Sequence, residues 1–476
     1  MRKTKIICTM GPACHSEEIL EKMVGSGMNV ARLNFSHGSH EEHAERIRMI
    51  HSVRERLGVP LAIMLDTKGP EIRLRDFQGG SAVLQDGAGF ILTTDEILGD
   101  ETRASITYRN LPEELSGGES ILIDDGKLEL RVDSCGGTEV RCTVVHGGVV
   151  SNKKSINLPN SRLKLPYLSE QDKSDLLFGI SQDVDYIAAS FTRSKEDVIA
   201  LRKFINYNGG HGIRIIAKIE NIEGVENFNE ILRCADGIMV ARGDMGVEID
   251  YERLPGLQKR FIRRCYQAGK VVITATQMLD SMISCAHPTR AEITDVANAV
   301  FDGTSAIMLS GETAAGKYPV EAVKVMATIA EQAEKDAFEM QAYRDIRYDV
   351  ELSDNTNAVC DAACTMARDI RAKAIIALTK YGHTARRMSK FRPFQPVVAA
   401  THVRKTYHQL GMCWGVYPVM ARYQNTSDEL LLHAVDCARQ IDVVEDGDLV
   451  VIAAGVPLDT PGSTNLLKVE VVGSRK

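Results

Sequence analysis

The chain has 476 residues, of which 44% are hydrophobic and 25% are charged, so it is expected to form two or three globular domains. Its formal net charge of -7 and its single Trp argue against a nucleic-acid or membrane partner. The eleven cysteines are scattered without a CxxC pair, and neither a signal segment nor a run of about 18 apolar residues is found, which together predict a cytoplasmic protein with reduced thiols.

The first 67 residues alternate short apolar strands with amphipathic helices. Strands are predicted at 4–9, 28–33 and 61–66. Ser16 can cap the first helix, which Gly25 and Gly27 end, and a second helix is predicted at 43–57. From about residue 69 to 163 the helical period disappears. Short strands between Gly-Gly turns predict a small all-β insert there, at 83–84, 90–92, 121–123 and 140–145.

The strand–helix alternation resumes near Ser169. Further strands are predicted at 185–189, 213–219, 237–241, 271–275 and 306–309, and a last helix at 319–335. Three strands before the insert and five after it make eight, which favours a closed (β/α)8 barrel over an open sheet.

A polar stretch at 343–357 is interpreted as a linker to a second α/β series. An open α/β domain is predicted there, with strands at 374–378, 397–400, 416–419, 449–453 and 469–472. The predicted domains are the barrel (1–68 and 165–342), the β insert (69–164) and the C-terminal domain (343–476).

Ionisable and hydroxyl residues follow most of the predicted barrel strands. In a (β/α)8 barrel the active site forms where the strands end. The strand-end segments are Arg32–Gly38, Asp66–Pro70, Lys218–Asn221, Arg242–Asp244, Thr274–Gln277 and Ser310–Glu312. A purely structural barrel has no reason to place so many such residues at one mouth, so this end is predicted to be catalytic.

Two carboxylates, Glu220 and Asp244, follow adjacent strands. A divalent cation such as Mg²⁺ or Mn²⁺ would relieve their repulsion, and the alternative is that each pairs with a nearby Arg or Lys. Arg32 and Lys218 place positive charge at the same mouth. They suit a phosphorylated anion and a transferring phosphoryl group, or else they form structural ion pairs.

Other strand-end residues give weaker signals. A set of oxygen-bearing side chains could hold a monovalent cation or simply make turns, namely Asn34, Ser36, Asp66 and Thr67. Thr276 could relay a proton through water, or its hydroxyl could bond to backbone. In the C-terminal domain, residues 379–386 follow a predicted strand and open a predicted helix. This segment either binds phosphate at the helix N-terminus or is an ordinary helix start. It lacks the Walker pattern.

Taken in order, the motifs resemble those of the pyruvate kinase family over essentially the whole chain. They are Lys3–Thr9 with Gly11-Pro12, Met28–Gly38, Leu65–Arg73, Ile123–Gly126, Ala217–Asn221, Gly237–Glu248, Ile273–Met282, Pro288–Glu292 and Ile307–Thr313. The resemblance implies transfer of a phosphoryl group from phosphoenolpyruvate to ADP, which gives pyruvate and ATP. It also implies that the insert is a small β-barrel acting as a lid that excludes water.

The resemblance further implies roles for individual residues. Arg32 and Lys218 would hold the substrate phosphate, with Lys218 stabilising the phosphoryl group in transfer. The backbone at Gly243 and Asp244, with Thr276, would hold the carboxylate, and Thr276 would lie near the proton delivered to the enolate. The remaining expected ligands are Glu220 and Asp244 for Mg²⁺ or Mn²⁺, Asn34, Ser36, Asp66 and Thr67 for K⁺, and Asn34, His37, Arg73 and Lys154 for the nucleotide. Glu71 occupies a position that is acidic in potassium-dependent members, so potassium dependence is expected.

The resemblance also predicts control at the C-terminal domain. Phosphate of an effector would bind Thr379, Lys380, Gly382, His383 and Thr384, with residues 455–465 forming a second effector loop. The effector is left open between fructose bisphosphate, AMP and another sugar phosphate. A homotetramer and a bacterial type without the extra phosphohistidine-like domain are expected.

Two departures from the family pattern affect these expectations. His287 replaces a common Arg, which puts inter-domain signalling in doubt, and Ser155 replaces a Gly beside the lid lysine.

Two alternative functions share part of the family pattern. One is a metal-dependent lyase or aldolase acting on pyruvate or phosphoenolpyruvate, and the other is a sugar-phosphate sensor with an inactive barrel.

Overall fold

The computed structural model describes residues 1–159, 161–343, 354–424, 426–456 and 464–474. The chain opens with three buried parallel strands, β1 (Lys5–Thr9), β2 (Val30–Asn34) and β3 (Ala62–Asp66). Helix Glu17–Ser26 begins at the predicted cap, since the Ser16 side chain accepts the Ile19 N–H, and it ends at Gly27 with φ 121°. Helix His40–Leu57 begins one turn earlier than predicted because Ser39 and Glu42 form a capping box.

The insert follows β3 and is all β apart from two short helical turns. Its strands are β4 (Ile72–Arg73), β5 (Ser81–Leu84), β6 (Gly89–Thr93), β7 (Arg103–Ser105), β8 (Ser120–Ile123), β9 (Leu128–Gly136), β10 (Glu139–His146), β11 (Gly148–Ser151) and β12 (Ser155–Asn157). The helical turns are Gln78–Gly80 and Leu111–Glu114. Seven of the strands form one sheet in the order β4-β12-β8-β9-β10-β6-β7, and β11 pairs with β5. A bridge between Leu74, just after β4, and Ile106, just after β7, brings the two edges of this sheet together.

Five more parallel strands complete the main barrel. They are β13 (Tyr186–Ala189), β14 (Arg214–Ile219), β15 (Gly237–Ala241), β16 (Val271–Ala275) and β17 (Ala306–Leu309). The ring runs β1-β17-β16-β15-β14-β13-β3-β2 and closes because β1 pairs with both β2 and β17. The predicted eight-stranded barrel is therefore confirmed.

Helices surround the barrel between these strands. They are Glu170–Ser181, Lys195–Tyr207, Ile222–Glu226, Phe228–Cys234, Arg242–Glu248, Leu254–Gln267, Arg290–Phe301, Gly311–Ala314 and Pro319–Glu339. The last helix is one turn longer than predicted, since Ala333 and Ala337 continue its buried face. Short 3₁₀ turns occur at Pro12–Cys14, Tyr251–Arg253 and Asp280–Ile283.

The C-terminal domain is an open five-stranded sheet with helices. Its strands are β18 (Ala374–Leu378), β19 (Val397–Thr401), β20 (Val416–Met420), β21 (Leu449–Ala454) and β22 (Leu466–Val471), in the order β20-β19-β18-β21-β22 with β22 antiparallel. Its helices are Asn355–Asp369, His383–Lys390, Arg404–Leu410 and Ser427–Arg439. Most of the predicted linker, residues 344–353, lies outside the described residues.

The C-terminal domain covers the end of the main barrel where the strands begin. Gln409 donates to the carbonyls of Asp185 and Gly212, 3.1 and 2.8 Å away, and both of those residues precede barrel strands. The Tyr186 hydroxyl donates to the Gln409 carbonyl at 2.5 Å. The opposite end of the barrel, where the strands finish, is therefore left to face the insert.

All eleven cysteines lie in the described residues, and none of them forms a disulfide. No helix in the described part of the chain is both long and apolar enough to cross a lipid bilayer.

Candidate active site

A polar cavity of about 450 Å³ lies between the strand-end face of the barrel and the insert. The predicted residues that line it are Arg32, Asn34, Ser36, His37, Glu71, Arg73, Lys154, Lys218, Glu220 and Asp244. These side chains come from both domains. The structure therefore brings the predicted phosphate, metal and nucleotide residues to one place.

Lys218 is the centre of a buried charge network. Its Nζ lies 2.8 Å from Glu220 Oε1, 3.2 Å from Asp66 Oδ1 and 2.8 Å from the Ser190 hydroxyl. Burial by itself would lower the pKa of Lys218, but the neighbouring carboxylates outweigh it and raise this pKa above its ordinary value. The ammonium group is therefore held charged and directed at the cavity.

Arg32 reaches the same network through Asp66. Its Nε donates to Asp66 Oδ2 at 2.6 Å, and its Nη1 donates to the Thr9 hydroxyl at 2.8 Å. Burial alone would raise the pKa of Asp66, but Arg32 and Lys218 overcome this effect and lower it. Asp66 is consequently an ionised bridge that fixes both cations side by side.

Glu220 and Asp244 differ in their surroundings. Glu220 is buried, its Oε2 accepts the Phe191 N–H at 2.6 Å, and burial together with Asp244 raises the pKa of Glu220 to about 8 despite the attraction of Lys218. In this structure Glu220 therefore pairs with a lysine, Lys218, which is the alternative to metal binding that the sequence left open. The Asp244 carboxylate has no hydrogen-bond or ion-pair partner among the residues described.

The donor set can be tested for a metal. Within the described chain, no group of three or more His, Cys, Asp or Glu side chains could hold a metal ion by itself. Glu220 and Asp244 offer oxygen ligands, which suit Mg²⁺ or Mn²⁺ when substrate and water oxygens complete the coordination. The residues therefore fit a metal that binds together with substrate.

Thr276 lies beside Gly243 and outside the residues that line the cavity. Its hydroxyl donates to the Ala275 carbonyl at 2.6 Å and accepts the Gly243 N–H at 2.8 Å. The backbone-bonded alternative is therefore what this structure contains. Thr276 and Gln277 both have positive φ, 68° and 53°, a conformation that costs a non-glycine residue about 1 kcal/mol and that concentrates at functional sites.

The four candidate potassium ligands come together where β2 and β3 end. Asn34 Oδ1 accepts the Ser36 N–H at 3.1 Å, as in an ordinary turn. The Thr67 hydroxyl donates to a backbone carbonyl at 3.3 Å and accepts the Ser190 N–H at 3.2 Å. Asp66 is the only carboxylate among the four, and it is already shared by Arg32 and Lys218.

The insert supplies two cations to the cavity. Arg73 Nε lies 2.7 Å from Glu71 Oε2, and Lys154 Nζ lies 2.8 Å from Asp124 Oδ1. His37 is exposed on the barrel side of the cavity. Ser155, the departure beside Lys154, lies in β12 and donates to Asp125 at 3.1 Å.

The candidate effector segment opens helix His383–Lys390 after β18. Gly382 has φ 80°, and the Thr384 and Thr464 hydroxyls are 2.8 Å apart, which joins this segment to the second predicted loop. Thr379 and Lys380 occupy the turn after β18. Residues 457–463 of the second loop lie outside the described residues.

His287 is exposed, and nothing in the structure explains the replacement of the common Arg.

Sequence reasoning missed Thr9, Ser190 and Phe191 as members of the network. The Ser190 hydroxyl donates to the Thr67 carbonyl at 2.6 Å and lies 3.1 Å from Asp66 Oδ1, so it links two strand ends. Phe191 has φ 50°. The sequence does carry a signal, because all three residues lie at or just beyond the ends of β1 and β13, where a (β/α)8 barrel places active-site residues.

The fold and the cavity together define a (β/α)8-barrel enzyme whose buried cations suit an anionic substrate. Family models for the barrel domain and the alpha/beta domain of pyruvate kinase match residues 1–323 and 357–470. The chain therefore belongs to the pyruvate kinase family, and the predicted family, fold class and enzyme class are confirmed.

Individual relatives agree with this assignment. A pyruvate kinase of Clostridium acetobutylicum is 50% identical over 99% of this chain and 100% of its own. One of Staphylococcus haemolyticus is 49% identical over 99% of this chain and 81% of its own. A solved pyruvate kinase of Cryptosporidium parvum has a TM-score of 0.93 and 40% identity, over 99% of this chain and 96% of that one.

Proposed function

We propose that this protein transfers the phosphoryl group of phosphoenolpyruvate to ADP, giving pyruvate and ATP, and that Arg32 and Lys218 hold that group. The observation that carries the proposal is the buried pair of cations fixed by Asp66 at the cavity. Phosphoryl transfer needs positioning and charge stabilisation more than covalent chemistry. Lys218 meets that need because it is charged, buried and held by three partners within 3.2 Å.

Glu220 and Asp244 are proposed to hold Mg²⁺ or Mn²⁺. The metal would neutralise phosphate and carboxylate charge during transfer. Asp244 has no partner in the described chain, so it can take up this role at once. Glu220 accepts the Phe191 N–H through Oε2 and pairs with Lys218 through Oε1, and its carboxylate would be the second oxygen donor to the metal.

The carboxylate end of the substrate is assigned to the backbone at Gly243 and Asp244, beside Thr276. The N-terminus of helix Arg242–Glu248 lies there, and the partial positive charge of a helix N-terminus favours an anion. The Thr276 hydroxyl would have to leave the Ala275 carbonyl to pass a proton to the enolate.

Potassium and nucleotide are proposed on the two sides of the same cavity. Asn34, Ser36, Asp66 and Thr67 would hold K⁺. The nucleotide would contact Asn34 and His37 from the barrel and Arg73 and Lys154 from the insert. The insert would then act as a lid, and it already contacts the barrel through the Asn157 amide, which donates to Glu248 at 3.0 Å.

The C-terminal domain is proposed to bind a phosphorylated effector, either a sugar phosphate or AMP. Its binding residues would be Thr379, Lys380, Gly382, His383 and Thr384. The Thr384–Thr464 contact and the helix start at His383 support this placement. A cytoplasmic homotetramer completes the proposal.

The direct test is pyruvate formation from phosphoenolpyruvate and ADP with Mg²⁺, coupled to lactate dehydrogenase. Turnover should require ADP and fall when Na⁺ replaces K⁺. Turnover that is indifferent to K⁺ would leave the reaction in place and remove the proposed potassium site. Pyruvate release without ADP would point to the lyase alternative, and no release with any candidate effector would point to the sensor.

A further inference from the structure

The segment 34–37 carries proposed potassium and nucleotide ligands, and a buried histidine contacts it from behind. His43, in the first turns of helix His40–Leu57, is 2% exposed and is absent from the lining of the cavity. Its ring stacks on Phe35 with centroids 4.0 Å apart and planes at 12°. Its Nε2 lies 2.9 Å from the His37 carbonyl oxygen. One side chain therefore holds both ends of the Phe35–His37 stretch.

The hydrogen bond to His37 fixes the tautomer of His43. A carbonyl can only accept, so the proton must be on Nε2. Burial lowers the pKa of His43, which keeps the ring neutral, and Nδ1 has no partner in the described chain. The unpartnered Nδ1 is consistent with a neutral ring whose single N–H, on Nε2, donates to the His37 carbonyl.

The surrounding residues leave this arrangement little freedom. His40, one turn earlier, stacks on Phe178 at 4.5 Å and pairs with Asp175 at 2.6 Å, which anchors the start of the helix. Gly38 has φ 84°, and a methyl group added there would lie 2.6 Å from Glu42 Oε2. The positive φ of Gly38 therefore lets the chain turn tightly from the loop into the helix.

We propose that His43 is a positioning residue that sets the 34–37 loop for potassium and nucleotide binding. The inference rests on the proposed function of that loop. His43 would act through Phe35 and the His37 carbonyl and would not touch the substrates. Its loss should then affect ADP and K⁺ more than phosphoenolpyruvate, whose proposed ligands Arg32 and Lys218 are fixed by Asp66.

Two variants separate the hydrogen bond from the packing. His43→Phe keeps a ring against Phe35 and removes the donor, and it should raise the KM for ADP and the half-saturating K⁺ concentration about fivefold, with the KM for phosphoenolpyruvate within about twofold. His43→Gln can donate to the His37 carbonyl again and should recover part of the ADP affinity. His51→Phe, on the same helix but in contact with Arg54, is the matched control and should leave all three constants unchanged.

Calorimetric titration with MgADP reports binding independently of turnover, and thermal unfolding reports folding. A lower Tm with unchanged constants in both His43 variants would make His43 purely structural and overturn the inference. So would an equal effect on all ligands. If the wild-type protein bound MgADP but formed no pyruvate, the proposed function would fail, while the effect of His43→Phe on MgADP binding would still decide this inference.

Discussion

Replacing Lys218 with Met should abolish phosphoryl transfer and also weaken the fold, because two different consequences follow from the same lost charge. Asp66 would still be neutralised by Arg32 at 2.6 Å. Glu220 would lose its cation at 2.8 Å while remaining 1% exposed. Removing one partner of a buried ion pair costs about 3 kcal/mol, so a lower Tm is expected above about pH 8, where Glu220 is ionised.

A second substitution separates these two effects. In Lys218→Met/Glu220→Gln both charges are gone, and the Gln amide oxygen can still accept the Phe191 N–H. Unfolding by denaturant should therefore show that the double variant recovers most of the lost stability. Turnover should stay at least about 10³-fold down in both proteins, since the missing cation acts mainly on the transition state.

The assay is coupled pyruvate formation at saturating substrates, with Lys173→Met as the control. Lys173 forms an exposed pair with Glu170, and its loss should change stability by less than about 1 kcal/mol and leave turnover intact. Near-normal turnover in Lys218→Met would refute the role of this residue. A double variant as unstable as the single one would refute the stated cause of the instability.

Two further predictions use other parts of the barrel. Thr276→Val should lower kcat at least about 10²-fold while Thr276→Ser stays within about tenfold of wild type, because only the serine keeps a hydroxyl beside Gly243; equal rates in both variants would exclude the proton role. At the start of β13, burial raises the pKa of Asp185 to about 6 although Lys405 and Arg54 oppose it. Because the pKa of Asp185 is higher in the folded than in the unfolded protein, the wild-type protein should lose stability as pH rises from about 4 to 6. The free energy of unfolding of Asp185→Asn, measured in urea, should therefore rise by roughly 2–3 kcal/mol relative to wild type between pH 4 and pH 7. A difference that does not depend on pH would contradict this.

How far the sequence predicted the fold depends on burial. Strands such as β15 and β16 have the predicted bounds, because a parallel strand buried on both faces is a continuous apolar run ended by polar residues. Strands β4, β7, β9, β11 and β12 of the insert were missed. All but β9 have only two to four residues, and their pairing is set by partners that local pattern does not contain.

The candidate site shows the same division. Strand order alone predicted that Arg32, Lys218, Glu220 and Asp244 meet at one mouth. It could not predict that Lys218 pairs with Glu220 or that Thr276 bonds to backbone, since these depend on side-chain rotamers and local φ values. The positioning contact of His43 is likewise invisible in sequence, because one turn of helix has to fold back onto the loop before the ring reaches His37.

The charges at the cavity lead to a last prediction, that the divalent cation and phosphoenolpyruvate strengthen each other's binding. Arg32 and Lys218 oppose three carboxylates, Asp66, Glu220 and Asp244, so the site has a formal excess of one negative charge when all are ionised. Phosphoenolpyruvate alone would add more negative charge, and a divalent cation would compensate for it. Each ligand should therefore strengthen binding of the other by a coupling of about 1–3 kcal/mol.

Electron paramagnetic resonance of Mn²⁺ measures this coupling directly. Phosphoenolpyruvate should tighten Mn²⁺ binding about tenfold, and by linkage Mn²⁺ should tighten phosphoenolpyruvate binding by the same factor. Glu220→Gln and Asp244→Asn should each weaken Mn²⁺ binding and reduce the coupling. Asp295→Asn should do neither, because the Asp295 carboxylate pairs with Arg242 and does not line the cavity. Mn²⁺ affinity that is unchanged in Glu220→Gln and indifferent to phosphoenolpyruvate would place the metal elsewhere, and the unpartnered carboxylate of Asp244 would then need another explanation.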